Sequence, residues 1–264
     1  MLVGLVLLGM LVLCALLAPS LAPYDPSAMR VSQRLRPPSG LHLFGTDEFG
    51  RDIFSRVLYG SRVSMLVGAL SVAAACMAGT VLGICAGYFQ RLDPWLVRVI
   101  DATMAFPDIL LAIALIAVLG PSVGNVVAAL GIVYTPRVAR IVRASTLAIR
   151  ELPFIEAARA TGAQTPRILW LHVLPNVSSP LIVQGTFIFA YAILAEAGLS
   201  FLGVGVSPEV PSWGNIISAG QQYSDRADWI MICPGLAIVT AVFSLQMIGD
   251  GLRDLLDPKL RRHV

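Results

Sequence analysis

The residues with reactive side chains are few in this chain, and their spacing argues against common catalytic and metal sites. It has four cysteines and three histidines, which are Cys14, Cys76, Cys85, Cys233, His42, His172 and His263. No cysteines form a C-x-x-C pair, and no histidine lies near one in the sequence. The cysteines fall in apolar stretches, where packing is their expected role. Without a cluster of Cys, His, Asp and Glu, the sequence predicts no metal site.

Two further kinds of chemistry lack a residue that they require. A phosphate-binding P-loop needs a lysine after its glycine-rich turn, but the only lysine, Lys259, is followed by Leu260 instead of Ser or Thr. Ser200 lies in an apolar stretch that offers no histidine to act as its base. We therefore expect no enzyme activity. If the protein takes part in an energy-requiring process, the energy must come from elsewhere.

The composition indicates an integral membrane protein. Hydrophobic residues make up 56% of the 264 residues and charged residues 13%, against about 25% charged in soluble domains. This argues against a disordered chain, a nucleic-acid binder and an ordinary water-soluble enzyme. The formal net charge of +3 is too small to imply an anionic partner.

Six apolar stretches qualify, in whole or in part, as membrane-spanning segments, which need about 20 residues each. They are residues 1–18, 63–89, 97–120, 123–142, 180–202 and 229–249. Because backbone polar groups in lipid must bond within their own segment, we predict helices. The predicted fold is an all-α membrane protein with six transmembrane helices.

The basic residues predict that both termini are cytoplasmic. With the N-terminus inside, the inner segments hold twelve Lys and Arg residues and the outer segments seven. The predicted organisation is a first helix at 1–22, an extracytoplasmic loop at 23–62, a five-helix core at 63–258 with a cytoplasmic loop at 150–176, and a tail at 259–264.

The first apolar stretch has no basic residue before Arg30, unlike a secretory signal. We expect a retained helix. One alternative is a signal peptide that is cleaved. Another is that a short cytoplasmic tail is missing because of the choice of start site.

The inner loop predicts two short helices joined by a tight turn. Pro153 suits a first helical turn, and Gly162 permits a sharp backbone turn. Residues 165–166, Thr-Pro, predict the N-cap and first position of the second helix. Residues 174–176 are expected to end that helix, and residues 179–180 to begin the next span. Small side chains on the first helix would let another protein approach, although a helix lying on the lipid headgroups is the alternative.

This loop resembles the EAA motif of permease subunits in binding-protein-dependent ABC importers. The resemblance rests on residues 156–158, Glu-Ala-Ala, with Gly162 four residues later and residues 174–175, Leu-Pro, twelve residues beyond the glycine. His172 occupies the position where the general pattern has isoleucine. A histidine at this position resembles the peptide branch of the family.

A second block, residues 44–56, resembles the outer-loop motif of dipeptide, oligopeptide and nickel permeases. Together with the EAA motif, it makes the chain resemble the C-type subunit of these permeases. The motif residues are Gly45, Asp47, Gly50, Arg51, Asp52 and Arg56. The resemblance extends from about residue 15 to residue 258, nearly the whole chain.

The resemblance implies a type I ABC importer permease in the bacterial cytoplasmic membrane, in contact with lipid and not with nucleic acid. Its implied partners are a homologous second permease, two ATPase subunits and an extracytoplasmic substrate-binding protein. ATP and magnesium would bind the ATPases, and this chain would bind no cofactor.

The resemblance also implies that residues 153–166 form a coupling helix that docks on an ATPase. The implied coupling residues are Glu156, Ala157, Ala158, Gly162, Ala163 and Thr165. Glu156 would accept a hydrogen bond from an ATPase arginine or cap the local helix, and Gly162 would set the turn.

The charged residues outside this loop have open roles. The outer-loop motif is expected to be structural, with a binding-protein contact as the alternative, and the spacing of Asp52 and Arg56 predicts a surface ion pair. Asp108 and Glu196, at membrane depth, could line the substrate path or form hydrogen bonds between subunits. Asp101 is expected on the same helix face as Asp108.

Peptides are the expected substrates, with nickel or haem-like compounds as the alternative. Two other classes stay open. A stand-alone secondary transporter should show internal repeats, which we do not find, and a channel or scaffold subunit would not need the docking loop.

Overall fold

The computed structural model describes residues 1–256, and over that range the chain folds into helices and connecting loops. The α-helices are α1 (Leu2–Leu16), α2 (Ala18–Leu21), α3 (Ile53–Tyr88), α4 (Asp93–Met104), α5 (Asp108–Leu119), α6 (Val123–Arg150), α7 (Pro153–Ala160), α8 (Thr165–Ile168), α9 (Leu174–Phe201), α10 (Trp213–Gly220) and α11 (Trp229–Leu256). The all-α prediction is confirmed for these residues. The predicted tail, with Lys259, Arg261 and Arg262, and the end of the predicted core at 258 lie outside the described residues.

Length and apolar composition identify four to five membrane spans in the described residues. Helices α3, α6 and α11 and the segment Thr165–Phe201 each qualify, and α4 with α5 is a fifth if the pair counts as one span. Helix α1 has 15 residues, fewer than the about 20 that cross the hydrocarbon core. The six-helix prediction is therefore met only in part.

Within residues 97–120, which the sequence predicts as one membrane-spanning segment, the chain forms two helices. The chain bends by 91° between α4 and α5. Pro107 causes the break, because it has no N–H and disfavours helical backbone at the residue before it. Asp101 and Asp108 consequently lie on two differently directed helices and do not share the expected helix face.

Helix α3 begins at Ile53, so residues 53–62 form its first turns and do not belong to the predicted loop at 23–62. Asp52 is its N-cap and accepts a hydrogen bond from the Ser55 backbone N–H at 2.8 Å. Because Ser, Asp and Asn stabilise helix starts through such bonds, the helix begins where the cap is available and continues beyond the apolar stretch.

The predicted helix end at 174–176 is also wrong. A π-helical turn, Leu169–Val173, joins α8 to α9, and the segment from Thr165 to Phe201 runs as one long helix. Pro175 lies inside this long helix, directly after the π-helical turn, and its missing N–H removes one backbone hydrogen bond there. The side chain of Asn176 donates a hydrogen bond to the His172 carbonyl oxygen at 2.6 Å, which satisfies a backbone acceptor beside the proline.

Helices α3 and α6 pack closely along a row of small residues. Gly79, Gly83 and Gly87 recur every four residues on α3 and are buried against α6. A Cβ atom at Gly83 would lie 2.6 Å from both the Ala139 carbonyl oxygen and the Val142 Cβ. Small residues at this spacing let helix backbones approach in membranes, where packing stabilises association. This pair, with α5, α7 and α9, encloses one hydrophobic core.

A second core forms between α1, α3, α9, α10 and α11. Helix α10, which the sequence analysis did not predict, inserts the fully buried Trp213 into it. The Trp213 indole N–H donates to the Val57 carbonyl oxygen at 3.1 Å. Ser212 is the α10 N-cap and is the sequence signal that could have located the helix.

Replacing Gly83 by alanine tests the close helix contact. We expect Gly83→Ala to destabilise the protein by about 1–3 kcal/mol, because the added methyl overpacks the α3–α6 interface. Gly124→Ala in α6 is the matched control, since nothing lies within 4 Å of its Cβ position. Thermal unfolding in detergent measures both. Equal unfolding temperatures for the two variants would contradict the close packing.

Candidate functional site

Helix α7 presents a smooth surface that is anchored to the rest of the chain by one buried side chain. Ile155 is fully buried in the core, whereas Glu156, Ala157 and Ala160 on the same short helix are exposed. Arg159 lies over the Tyr88 ring, 5.5 Å from its centroid. The helix is therefore held on one side and free on the other. We call Glu156, Ala157, Ala160 and Gly162 the α7 surface.

Gly162 ends α7 in the turn that the sequence predicts. Its φ is +84°, a region that L side chains rarely adopt. Its N–H donates to the Arg159 carbonyl oxygen, and the Ala163 N–H donates to that of Ala158, both at 2.9 Å. Ala158 and Ala163 are partly buried and pack on the core.

Thr165 is not the predicted N-cap. Gln164 occupies that position, Thr165 is the first residue of α8, and no side-chain cap bond forms. The extended backbone of Gln164 places the boundary one residue earlier than the Thr-Pro pair indicated.

A two-residue link, Glu151 and Leu152, connects α7 to the long helix α6. The Leu152 N–H donates to the Ile149 carbonyl oxygen at 3.0 Å, and the Ile155 N–H donates to that of Leu152 at 2.9 Å. The Arg150 guanidinium donates to the Gly87 carbonyl oxygen at the end of α3, at 2.8 Å. The link is therefore hydrogen-bonded to α6 and α7, and the end of α6 is tied to the end of α3.

The outer-loop motif folds around a buried carboxylate. Asp47 is 1% exposed, and its Oδ1 accepts the backbone N–H groups of Phe49 and Arg51 at 2.9 and 2.8 Å. Its Oδ2 accepts from Arg51 Nε at 2.5 Å, and Arg56 Nε lies 3.7 Å away. Gly50 has a φ of +73°, and a Cβ there would lie 1.9 Å from the Arg30 carbonyl oxygen. These contacts fix the loop conformation.

The predicted surface ion pair between Asp52 and Arg56 is wrong. Arg56 is buried and donates to the Pro26 carbonyl oxygen at 3.3 Å. The Asp52 carboxylate instead caps α3 and lies 2.9 Å from His42 Nδ1. As an N-cap, Asp52 directs its side chain at the first-turn N–H groups, which takes it away from the residue four positions later.

Gly45 and Glu48 complete this loop. Gly45 has a φ of +73°, and its Cβ position lies 2.7 Å from the Arg36 carbonyl oxygen. Glu48 lies 3.4 Å from Arg51 Nη2. Burial raises the pKa of the Glu48 carboxyl, since it removes water from the charged form. The motif residues therefore contact one another and the adjoining loop.

Glu196 is enclosed within its own chain. It has no exposed surface, which a path-lining residue would need. Its two carboxyl oxygens accept the hydroxyl groups of Ser64 on α3 and Ser200 on α9, each at 2.9 Å. The hydroxyl oxygens in turn accept the backbone N–H groups of Trp213 and Val206, each at 3.2 Å. Glu196 thus holds α3, α9 and the segment before α10 together.

Asp108 has the opposite environment, because its side chain is 38% exposed. It forms an ion pair with Arg137 of α6, whose side chain is 35% exposed. Arg137 also lies beside two aromatic rings, 5.8 Å from the Tyr134 centroid and 5.7 Å from that of Tyr191. Arg137 is a site residue that the sequence did not indicate. The signal that could have found it was its position in an apolar stretch.

Two further ion pairs continue along the same helices. Arg140 Nη2 lies 2.7 Å from Asp101 Oδ1. Arg143 donates to both carboxylate oxygens of Asp93 at 2.6 and 2.8 Å. Together with the pair at Asp108, they fasten both arms of the bent α4–α5 segment to α6.

The described residues contain no group of three or more His, Cys, Asp or Glu that could hold a metal ion. The four cysteines are all free thiols.

Comparison with known proteins identifies the class. Residues 79–262 match the family described as binding-protein-dependent transport system inner membrane component, and residues 1–38 match the N-terminal transmembrane domain of oligopeptide transport permease C. The chain belongs to the binding-protein-dependent transport system inner membrane component family. As such it is the permease component of an ABC transporter and not itself the ATPase.

Individual relatives match over nearly the full chain. A putative peptide transport system permease protein of Brucella suis biovar 1 is 51% identical over 98% of this chain and 88% of its own length. A dipeptide transport system permease protein of Alkalihalophilus pseudofirmus is 45% identical over 98% of this chain and 86% of its own.

A solved structure has a similar fold. An inward-facing structure of the MetNI methionine ABC transporter has a TM-score of 0.63 at 19% identity, covering 78% of this chain and 98% of that chain.

Neutralising Asp47 tests whether the outer-loop motif is structural. We expect Asp47→Asn to destabilise the protein by about 3–5 kcal/mol, because Arg51 and Arg56 lose their buried anionic partner. Asp25→Asn, an exposed carboxylate of the same loop, is the control and should leave thermal unfolding unchanged. Normal unfolding of Asp47→Asn together with weaker affinity for the substrate-binding protein would instead assign the motif to that contact.

Removing the Glu196 carboxyl tests its role in joining the helices. We expect Glu196→Leu to destabilise the protein by about 1–3 kcal/mol for each serine hydroxyl that loses its acceptor. Glu196→Gln keeps one carbonyl oxygen and should lose less. Chemical denaturation in detergent compares the two. An unchanged midpoint for Glu196→Leu would show that the serine bonds do not stabilise the fold.

Proposed function

We propose that this chain is a transmembrane permease subunit of an ATP-driven ABC importer that carries peptides across the bacterial cytoplasmic membrane. The observation that carries the proposal is the nearly full-length similarity to permeases named for peptide and dipeptide transport. A relative from Pectobacterium atrosepticum, 42% identical over 96% of this chain, is named for the transport of glutathione, itself a peptide.

In this proposal the chain crosses the membrane six times, with both termini in the cytoplasm. The six crossings would be α1, α3, the bent α4–α5 pair, α6, the segment Thr165–Phe201 and α11. The alternation would put α7 on the cytoplasmic face and the Gly45–Arg56 motif outside. Without Arg137, which lies within α6, the inner segments still hold eleven basic residues against seven in the outer segments, and this excess supports the orientation.

The proposed partners follow from the same assignment. A homologous second permease would form the other wall of the substrate path, and two ATPase subunits would bind ATP and magnesium. An extracytoplasmic binding protein would deliver the peptide. The chain itself would carry no cofactor and contact membrane lipid, with no nucleic-acid partner.

The α7 surface would dock on an ATPase. The structure supports this because α7 is exposed, covered by small side chains and linked through hydrogen bonds to α6 and α3. Closure of the ATPases on ATP would then move α7, and the hydrogen-bonded link would pass that movement to α6. Glu156, exposed at the first turn, is available to an ATPase arginine.

Enlarging one residue of the α7 surface tests the docking. In Ala157→Trp we expect the stimulation of ATP hydrolysis by the peptide-loaded binding protein to fall about tenfold or more, because a bulky side chain separates two surfaces built for close contact. Ala28→Trp in the outer loop, at another exposed alanine, is the control. The assay uses the reconstituted complex in proteoliposomes, and unchanged stimulation in Ala157→Trp would refute the docking role.

A further inference from the structure

The Asp108–Arg137 ion pair lies deep within the membrane-spanning part of the chain. Asp108 begins the 12-residue helix α5 and is therefore about 18 Å from the turn that joins α5 to α6. Arg137 is the fifteenth residue of α6, about 21 Å from the same turn. With that turn at one membrane surface, as in the proposed topology, the pair lies within the hydrocarbon core, which is about 30 Å thick.

This pair is also accessible. About a third of each side chain is exposed, at 38% for Asp108 and 35% for Arg137. Exposed charges at this depth are strongly unfavourable against lipid and occur facing water-filled cavities or other subunits. The face of the molecule that carries Asp108 and Arg137 must therefore point into the transport assembly and away from the lipid.

The groups around the pair match the chemistry of a small peptide with free ends. Such a peptide carries an ammonium and a carboxylate, which are the ions that Asp108 and Arg137 respectively bind. A guanidinium can hold a carboxylate through two parallel hydrogen bonds. The Tyr191 ring, 47% exposed, lies beside the guanidinium and offers a flat apolar surface to the rest of the peptide.

We propose that Asp108 and Arg137, with Tyr191, form one wall of a binding site for the charged ends of a zwitterionic peptide within the transport path. The proposal rests on the proposed peptide import. The peptide replaces the internal ion pair, with its ammonium on Asp108 and its carboxylate on Arg137. Because each charge exchanges one ionic partner for another, no charge is left unpaired in the low-dielectric interior. The homologous permease supplies the opposite wall.

The combination of an accessible acid, an accessible base and the Tyr191 ring favours a zwitterionic ligand over a permanent subunit contact. Asp108 and Arg137 already satisfy each other, so a fixed protein partner would add little, whereas a peptide can exchange with either ion. Glu196 shows the contrasting case, since its carboxyl is covered by hydroxyl groups of its own chain. The pair of Asp101 and Arg140 has the same chemistry, but the pocket around it is lined by Val97, Ile100 and Arg143, with no aromatic side chain among the described residues. We place this pair outside the site.

Transport measurements on the whole importer test the site. The complex of both permeases, the ATPases and the binding protein is placed in proteoliposomes with radiolabelled dialanine. In Asp108→Asn and in Arg137→Gln we expect dialanine uptake per ATP hydrolysed to fall about tenfold, the effect of losing one charged hydrogen-bond partner. Stimulated ATP hydrolysis should stay within about twofold of the parent. Asp101→Asn and Arg140→Gln are the matched controls and should leave both quantities unchanged.

A photoreactive dipeptide with a diazirine side chain provides a second measurement that does not depend on how the variants fold. Trapped in the unmodified complex by an inactive ATPase, it should cross-link to peptides that contain Asp108, Arg137 or Tyr191. Cross-links elsewhere only, with dipeptide import intact, would overturn the site and leave the proposed function standing.

Two other outcomes count against the proposal. Loss of complex assembly in the single variants, restored with full uptake by Asp108→Arg combined with Arg137→Asp, would assign the pair to a subunit contact. Failure of the unmodified complex to import or cross-link any dipeptide would refute the proposed peptide import itself, and the site with it.

Discussion

The close approach of α3 and α6 is the contact on which the other features depend. Glycines on α3 remove the side chains that would separate the two backbones, so van der Waals packing extends along both helices. Helix α6 carries the arginines that bind α4 and α5, and it leads directly into α7. If α6 were displaced from α3, the ion pairs and the α7 surface would lose their common support.

Polar groups in this protein fall into two kinds that the membrane environment treats differently. Asp47 and Glu196 are enclosed by donors of their own chain, and their contacts explain why distant segments hold one conformation. The pair formed by Asp108 and Arg137 is satisfied internally but remains accessible. The enclosed carboxylates stabilise the structure, whereas the accessible pair, at membrane depth, requires a wet or protein-covered surface.

These features are connected along one helix. Helix α6 leads into the link to α7, and its residues Arg143, Arg140 and Arg137 contact both arms of the bent segment that begins at Asp93. The bend at Pro107 gives that segment two differently directed arms. Helix α6 therefore connects the α7 surface with the accessible ion pair of Asp108 and Arg137.

The sequence by itself determined the membrane class, the helical fold, the turn at Gly162 and, through spaced motifs, the transporter family, because apolar segment length and turn chemistry are local properties. Only the tertiary structure decided the continuous helix through Pro175, the buried role of Asp52 and the different environments of Glu196 and Asp108. Those features depend on which donors and surfaces come from segments distant in sequence. Two carboxylates at similar apolar positions cannot be told apart until folding encloses one and leaves the other accessible.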